Sequence, residues 1–381
     1  MSFDPVIPTI DLSSDPPEKQ AQTIKDALGS VGFFAVLNGG PKVEDIDALF
    51  AYSEDFFSLP MEEKEKYLAG SSGSGYTKLL SQALGEGKRD HKETFSYGKY
   101  CGIKEQAMPY PFSSLDEIAL QTIRRFYKDC HEVSEKLMEL FAQVLELPED
   151  HFKQSHSFGL NTAMSLIHYP SLDVEGKKQL SEKDIRAGAH QDWGTLTLLF
   201  QSTNPFLPAQ PGLEVHLPKS AIYKTQDFSP NLTTQPKSDD PNSASTNLDY
   251  ASHRSNLNSD EYEWYPAPVP PRGGFLVNVG LAMEFWSSGI YKATLHRVLF
   301  PNSPSSHSEK EQDEEEEAGL VDRYSLAFFV QPDDNVELNP ILPGGKIDYT
   351  KKAITSGELF NTKLKESMDR SKNIPIPDKS E

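Results

Sequence analysis

The stretch Ala189-His190-Gln191-Asp192-Trp193-Gly194-Thr195-Leu196-Thr197-Leu198-Leu199-Phe200 decides how the rest of the chain is read. His190 and Asp192 are separated by one residue, so within a strand imidazole and carboxylate fall on the same face. Gly194 is followed by a β-branched and apolar run of the length of a buried strand. The spacing predicts two metal-type ligands converging at a strand mouth. Ten histidines and 57 acidic residues in 381 give about 1.5 His-X-acid pairs by chance, and the chain has three. His91-Lys92-Glu93 lies in a charged polar stretch and His307-Ser308-Glu309 opens an acidic run. Both read as solvated surface pairs, whereas His190/Asp192 has strand context.

With 381 residues the chain can hold two average domains, or one large barrel with added helices. A formal charge of −20 argues against an open phosphate-binding surface and disfavours a polyanionic substrate or an anionic membrane. The only cysteines, Cys101 and Cys130, form neither a disulfide framework nor a CxxC motif, which suits a reducing compartment. The opening MSFDPVIPTIDLSS has no basic region before a long apolar core, and no window approaches eighteen continuous apolar residues. The expectation is a protein of the cytoplasm or nucleus that does not bind membrane or nucleic acid.

Working outward, Pro5 to Leu12 reads as a short strand, Ala21, Ile24, Ala27 and Leu28 keep helical spacing, and Gly32 to Leu37 is a second strand. A second helix runs from about Lys42 and stops before Pro60, giving a β-α-β-α opening. Gly70 to Gly98 reads as an irregular segment in which Tyr76 and its neighbours either lie in a surface loop or reach over a pocket. Nothing there resembles a phosphate loop, since no strand precedes it and no GK[ST] follows. From about Leu115 to Leu147, Ile123, Phe126, Cys130, Val133, Leu137, Leu140 and Val144 return every three or four residues, a long helix that supports a sheet. Cys130 reads as a small apolar filler in that stripe.

After Thr162 the period changes to short strands: Ala163–Tyr169, 194–200, 212–216, Phe275–Val279, 293–300 and 324–330. Many short strands with turn signals between them argue a sandwich or barrel. Two stretches interrupt them, about 220–260, rich in Ser, Asn, Asp, Thr and Pro, and 303–319, with five consecutive acids from Asp313 to Glu317. Both are too poor in apolar residues to offset the entropy of ordering and read as insertions in surface loops, so His253 and His307 are set aside as ligands. The polar tail after Lys363 reads as loose.

His296 lies in the strand-like run Tyr291 to Phe300 and can complete a set of two imidazoles and one carboxylate. That set leaves one face of a metal open, as in non-haem Fe(II) oxygenases, although a hydrolytic zinc site can use it too. Arg323-Tyr324-Ser325 favours iron: alternation puts Arg323 and Ser325 on one face, where a guanidinium fork and a hydroxyl can hold a carboxylate. Zinc hydrolysis gives no reason for that pair.

The pieces VIPTIDLS, GFFAVLN, FFSLP, RDHKETFSYG, LIHYP, AHQDWGTLTLL, GFLVNVGLAMEFWSSGIYKATLHRV and RYSLAFFVQP resemble, in order, the isopenicillin N synthase-like family of Fe(II)- and 2-oxoglutarate-dependent dioxygenases, the iron/ascorbate-dependent oxidoreductases. The resemblance spans roughly residues 5 to 335 apart from the two insertions. It implies a mainly β fold with flanking helices: a double-stranded β-helix (jelly-roll) core with an N-terminal α/β segment and one long supporting helix. The corresponding organisation is an N-terminal dioxygenase segment (1–114), the supporting helix and linker (115–160), the core (161–335) and a C-terminal extension (336–381).

Position by position, the resemblance makes His190, Asp192 and His296 the iron ligands and catalytic residues, and Arg323 and Ser325 the grip on the distal carboxylate of 2-oxoglutarate. Tyr169 matches a cosubstrate tyrosine, Ile167 stands where many members have asparagine, and Leu281 replaces an aspartate common after Asn278-Val279-Gly280. Implied cofactors are Fe(II), 2-oxoglutarate as cosubstrate, O2, and ascorbate as reductant. The implied reaction hydroxylates or desaturates a small organic molecule with release of succinate and CO2, in a monomer. Relatives that keep the arginine and serine but use no 2-oxoglutarate are an alternative, as is an inactive jelly-roll binding module, which would have to lack a ligand. Tyr76, Phe95, Trp193 and the segment after Val330 are candidate substrate contacts, and Phe285 and Trp286 are read as core or cavity wall.

Overall fold

Strand pairing decides which side chains of this chain are enclosed together. A computed structural model describes residues 7–70, 73–85, 88–97, 117–172, 185–202, 212–219, 261–300, 322–350 and 352–375. The expected β-α-β-α opening is present as β1 (Thr9–Asp11), α1 (Pro17–Ser30), β2 (Phe33–Leu37) and α2 (Val43–Phe57). Proline at the start of α1 lacks an N–H that a first turn would leave unbonded anyway, and the helix buries Ala21, Ile24, Ala27 and Leu28. The one-turn helix α3 (Met61–Lys64) leads to β3 (Gly75–Thr77) and β4 (Glu93–Tyr97). These two strands correct the irregular segment expected between Gly70 and Gly98. Antiparallel pairing along a longer neighbouring strand supplies the order that local sequence lacks.

The long helix is α4 (Glu117–Val144), whose buried side includes Ile123, Phe126, Cys130, Val133 and Leu137. Cys130 is wholly enclosed and burial pushes its thiol pKa well up, so it packs as an apolar filler. Then follow β5 (Ala163–Tyr169), β6 (Ile185–His190), β7 (Leu196–Gln201), β8 (Leu213–Pro218), β9 (Tyr262–Pro266) and β10 (Phe275–Val279). The short helix α5 (Leu281–Trp286), β11 (His296–Leu299) and β12 (Arg323–Val330) complete the core. The hairpin β13 (Ile341–Leu342) and β14 (Lys346–Ile347) and a last helix, α6 (Ser356–Asn373), follow.

Eight strands form one sheet in the order β1-β2-β10-β7-β12-β5-β4-β3, and four form the other, β6-β11-β8-β9. Together they make the double-stranded β-helix. The period of two divides the larger sheet into two unlike faces. Leu166, Leu198, Phe200, Val277, Leu326 and Phe328 face the helices and merge with the buried side of α4 into one core. Ile167, Tyr169, Leu276 and Ala327 face the smaller sheet and pack with Ala187, Val215 and Val298 in a second core. The inner layer is where the chemistry-bearing residues sit.

The tail after Lys363, expected to be loose, is instead helical to Asn373. The Thr355 hydroxyl accepts from the Glu358 N–H at 3.2 Å while the Glu358 carboxylate accepts from the Thr355 N–H at 2.9 Å, a reciprocal cap. At the other end Arg89 donates to the carbonyls of Ser371 and Ile374 at 2.5 and 3.0 Å. Among the described residues no helix is long and apolar enough to cross a membrane. The stretches about 220–260 and 303–319 lie outside the described residues.

On the helical side of β4 and β5 the sheet carries a buried ionic network. Glu93 accepts from Lys64 at 2.9 Å, from the Tyr76 hydroxyl at 2.5 Å and from His168 Nδ1 at 2.8 Å. His168 Nε2 lies 3.1 Å from Asp322, off the line of a straight hydrogen bond, and its ring stacks on Tyr324 at 4.7 Å. Burial opposes the charge on His168, but the carboxylates of Asp322 and Glu93 outweigh it and hold its pKa above the ordinary value. The stability this imidazolium contributes is complete below the unfolded value of about 6.5 and is lost as pH rises through the higher folded pKa. His168→Gln is therefore expected to lower the melting temperature most in mildly acidic buffer and progressively less on the alkaline side. Melting both proteins from about pH 5.5 to about pH 9 tests this, and a gap that does not change with pH contradicts it.

Candidate metal centre

β6 ends at His190, β11 begins at His296, and these two residues are directly paired across the smaller sheet. Side chains directly opposite in an antiparallel ladder share a face, and the two imidazole centroids are 4.3 Å apart. Asp192 is not in a strand: it sits in the short connection by which the chain passes from β6 in the smaller sheet to β7 in the larger, so the strand alternation expected to align it with His190 does not apply. That connection is pinned. The N–H groups of Leu281 and Ala282, opening α5, donate to the carbonyls of Asp192 and Trp193 at 2.8 and 3.1 Å. Gly280 must be glycine for this approach, because a Cβ there would lie 2.4 Å from the Gly194 carbonyl oxygen. Leu281, where the resemblance expects aspartate, thus serves the turn through its backbone.

Each ligand has one polar edge tied to protein and one left over. His190 Nδ1 lies 2.7 Å from the Gly188 carbonyl and His296 Nδ1 lies 3.0 Å from that of Thr294. A carbonyl only accepts, so both rings carry their proton on Nδ1 and present the Nε2 lone pair inward. Asp192 Oδ2 accepts from Thr197 Oγ1 and Asn278 Nδ2, each at 2.7 Å. Its Oδ1 lies 3.9 Å from His190 Nε2 and 3.8 Å from His296 Nε2. One ligand atom from each residue falls within 4.8 Å of the others. Burial, and then the neighbouring His296, push the His190 pKa down to about 3, so its ring is neutral and free to ligate.

The second set of groups lies on β12 and its neighbours. Arg323 and Ser325 face the inner layer with Ala327, as alternation predicts. Arg323 pairs across the ladder with Tyr169, and its guanidinium carbon is 5.0 Å from that ring centroid. Arg323 Nη2 donates to Gln201 Oε1 at 2.7 Å. Among the described residues Arg323 Nη1, Ser325 Oγ and Gln201 Nε2 have no hydrogen-bond partner in the protein, although all are buried. A buried donor left unpaired costs about 1–3 kcal/mol, more when charged. Three such donors around one guanidinium fit a carboxylate ligand.

The candidate substrate contacts fare differently. Tyr76 is 1% exposed, with its ring edge-on to Phe56 and its hydroxyl on Glu93. Phe95 is fully buried in the same helix-side core. Both are corrected to structural residues, because alternation along β4 turns Glu93, Phe95 and Tyr97 to the helices; the intervening Ser96 bonds Ser165 at 2.8 Å. Trp193 stays beside the ligands, its ring 5.5 Å from Phe360 of α6. Trp286 is 3% exposed against Phe152, and Phe285 packs on the same cluster, so both are core. Sequence reasoning missed Asn278, Thr197 and Gln201. Their signal was a polar side chain at an inward position of an otherwise apolar strand.

Comparison with known proteins agrees with this geometry. Residues 7–112 match the family described as "non-haem dioxygenase in morphine synthesis N-terminal", and residues 216–332 match the 2OG-Fe(II) oxygenase superfamily. The chain is 26% identical to the UPF0676 protein C1494.01 of Schizosaccharomyces pombe, over 94% of this chain and 91% of that one. It is 27% identical to the 1-aminocyclopropane-1-carboxylate oxidase of Dictyostelium discoideum (86% and 82% covered) and to the proline hydroxylase buaE of Petromyces alliaceus (87% and 88%). Among solved structures it is similar in fold to a full-length Neurospora crassa protein in complex with alpha-KG, with a TM-score of 0.68 at 22% identity, covering 96% of this chain and 99% of that one. JOX2 in complex with 2OG, Fe and JA gives 0.62 at 20% identity over 97% and 89%. The chain belongs to the isopenicillin N synthase-like branch of the 2OG-Fe(II) oxygenase superfamily.

Proposed function

We propose that His190, Asp192 and His296 hold ferrous iron and that Arg323, Ser325 and Tyr169 receive the distal carboxylate of 2-oxoglutarate. The observation that carries this reading is the division of each ligand into a tied edge and an inward edge: two Nε2 lone pairs and Asp192 Oδ1 converge, while Gly188, Thr294, Thr197 and Asn278 take the other edges. When bound, iron and 2-oxoglutarate supply the oxidation of a C–H bond with O2, releasing succinate and CO2.

The chain's own residues do the rest. Thr197 and Asn278 keep Asp192 Oδ1 aimed inward by holding Oδ2, and the strand-end carbonyls keep both imidazoles in the ligating tautomer. Arg323 and Ser325 orient the cosubstrate from the far end, and the apolar residues of the second core line the space between the sheets. Trp193, next to Asp192 in the chain and 5.5 Å from Phe360 of α6, is the remaining candidate for contact with a small organic substrate. We also infer that the core (161–335) is the catalytic unit, supported by 1–114, 115–160 and 336–381, and that the protein is a cytoplasmic or nuclear monomer. The net charge of −20 and the two cysteines support that placement.

Succinate release from 2-oxoglutarate, assayed with and without ferrous ion and against a panel of small metabolites, tests the reading. His190→Ala is expected to abolish it, while iron-independent or 2-oxoglutarate-independent turnover contradicts it. Asn278→Ala is expected to weaken metal affinity about 10- to 100-fold at unchanged secondary structure, since Asp192 loses an orienting donor. Arg323→Met is expected to raise the KM for 2-oxoglutarate on the order of 10- to 100-fold, the worth of a charged hydrogen bond, with metal affinity unchanged.

A further inference from the structure

The strand that delivers His190 is irregular just before it. His190 and Ala187 of β6 pair with His296 and Val298 of β11, so Gly188 and Ala189 together lie opposite the single residue Arg297. Two residues against one make a β-bulge, which interrupts the ladder and bends the strand. A backbone group that loses its strand partner in the interior must find another. The Gly188 N–H donates to Oδ1 of Asp90 at 2.9 Å, a side chain from the N-terminal part of the chain. The Gly188 carbonyl accepts from Nδ1 of His190 at 2.7 Å. Glycine has the freest backbone of any residue, so its conformation here is set by the bonds on either side of it.

Asp90 is 0% exposed, and a buried carboxylate is costly unless it is paired and hydrogen-bonded. Its Oδ2 accepts from the Leu84 N–H at 3.2 Å and lies 3.5 Å from Lys92 Nζ, and its own N–H donates to the Gln82 carbonyl at 2.8 Å. The two backbones touch at glycines: a Cβ on Gly188 would lie 2.3 Å from the Gly85 nitrogen, and a Cβ on Gly85 would lie 2.8 Å from the Ala189 nitrogen. Either methyl group would prise Asp90 away from the bulge. On its outer side the same segment is tied to α6, where the Ala83 N–H donates to Ser371 Oγ at 3.1 Å and Arg370 donates to the Leu84 carbonyl. Those outer ties do not touch Gly188; Asp90 does.

We propose that Asp90 is a positioning residue of the metal centre: it holds the bulge at Gly188 so that the Gly188 carbonyl meets His190 Nδ1 and the ring aims Nε2 at the metal. The inference rests on the metal-site reading above. Its test titrates Mn(II) into the metal-free full-length protein, with the free ion read from its paramagnetic resonance signal. Asp90→Ala is expected to weaken Mn(II) binding about 10-fold, the low end for loss of a group that orients a metal ligand. Ser371→Ala, which loosens only the outer tie of the same segment, is expected to leave Mn(II) affinity unchanged. In nitrogen NMR of histidine-labelled metal-free protein the His190 signal, identified by its loss in His190→Ala, is expected to move in Asp90→Ala from the Nδ1–H tautomer towards a mixture of the two. Wild-type Mn(II) affinity in Asp90→Ala, a wild-type His190 tautomer there, or an equal loss of affinity in Ser371→Ala overturns the inference and leaves the metal reading intact. A wild type that binds no Mn(II) overturns both. Should Asp90→Ala fail to fold, Gly85→Ala decides in its place with the same expected losses, and failure of both variants to fold also overturns the inference, since that is the behaviour of a purely structural contact.

Discussion

The structure depends on one cross-strand pair. His190 and His296 face each other across the junction of β6 and β11, and a slip of one residue would send one imidazole to the outer face. Apolar burial alone does not fix such a register, because an inward valine or alanine could occupy either position. It is held by packing on both sides, with Phe33 edge-on against His296 at 5.5 Å and Val298 opposite Ala187 in the inner core. Asp192 then needs only a short connection to complete the set, and α5 fixes that connection through two backbone donors. Of three side chains spread over more than a hundred residues, two are thereby held by strand pairing and the third by a connection pinned to α5.

The larger sheet repeats the logic on its two faces. At one end of the β5–β12 ladder Tyr169 pairs with Arg323 on the inner face, and one step along it His168 pairs with Tyr324 on the outer face. The outer pair is locked by the charges of Glu93, Lys64 and Asp322, so the strand ends that carry the inner pair cannot fray independently. Removing water from such groups is costly, and an ionic network in this position is better explained by the precision it gives the neighbouring clamp than by its contribution to stability.

Much of this was legible in the chain. Local period and composition specified the β-α-β-α opening, the long helix and most core strands, since each follows from side-chain spacing over a few residues. The candidate ligand set and Arg323/Ser325 were legible through the family resemblance, with which their residue types and the strand context of His190, His296 and Arg323 agree. What local reasoning could not see was tertiary. β3 and β4 are ordered by pairing with β5, and the face to which Phe95 points follows from that pairing and not from its own neighbours. The polar helix α6 has little apolar patterning and is held by its cap and by Arg89, from 282 residues earlier in the chain at Ser371.

The central claim is that three named atoms, and no others from these residues, form the metal face. An anaerobic crystal structure of the protein with Mn(II) and 2-oxoglutarate tests it most directly. The account predicts one ion bonded to His190 Nε2, Asp192 Oδ1 and His296 Nε2, with Asp192 Oδ2 still on Thr197 and Asn278 and the distal carboxylate on Arg323. An ion bonded through Asp192 Oδ2, a histidine turned away from it, or a diacid lying elsewhere than at Arg323 would contradict it.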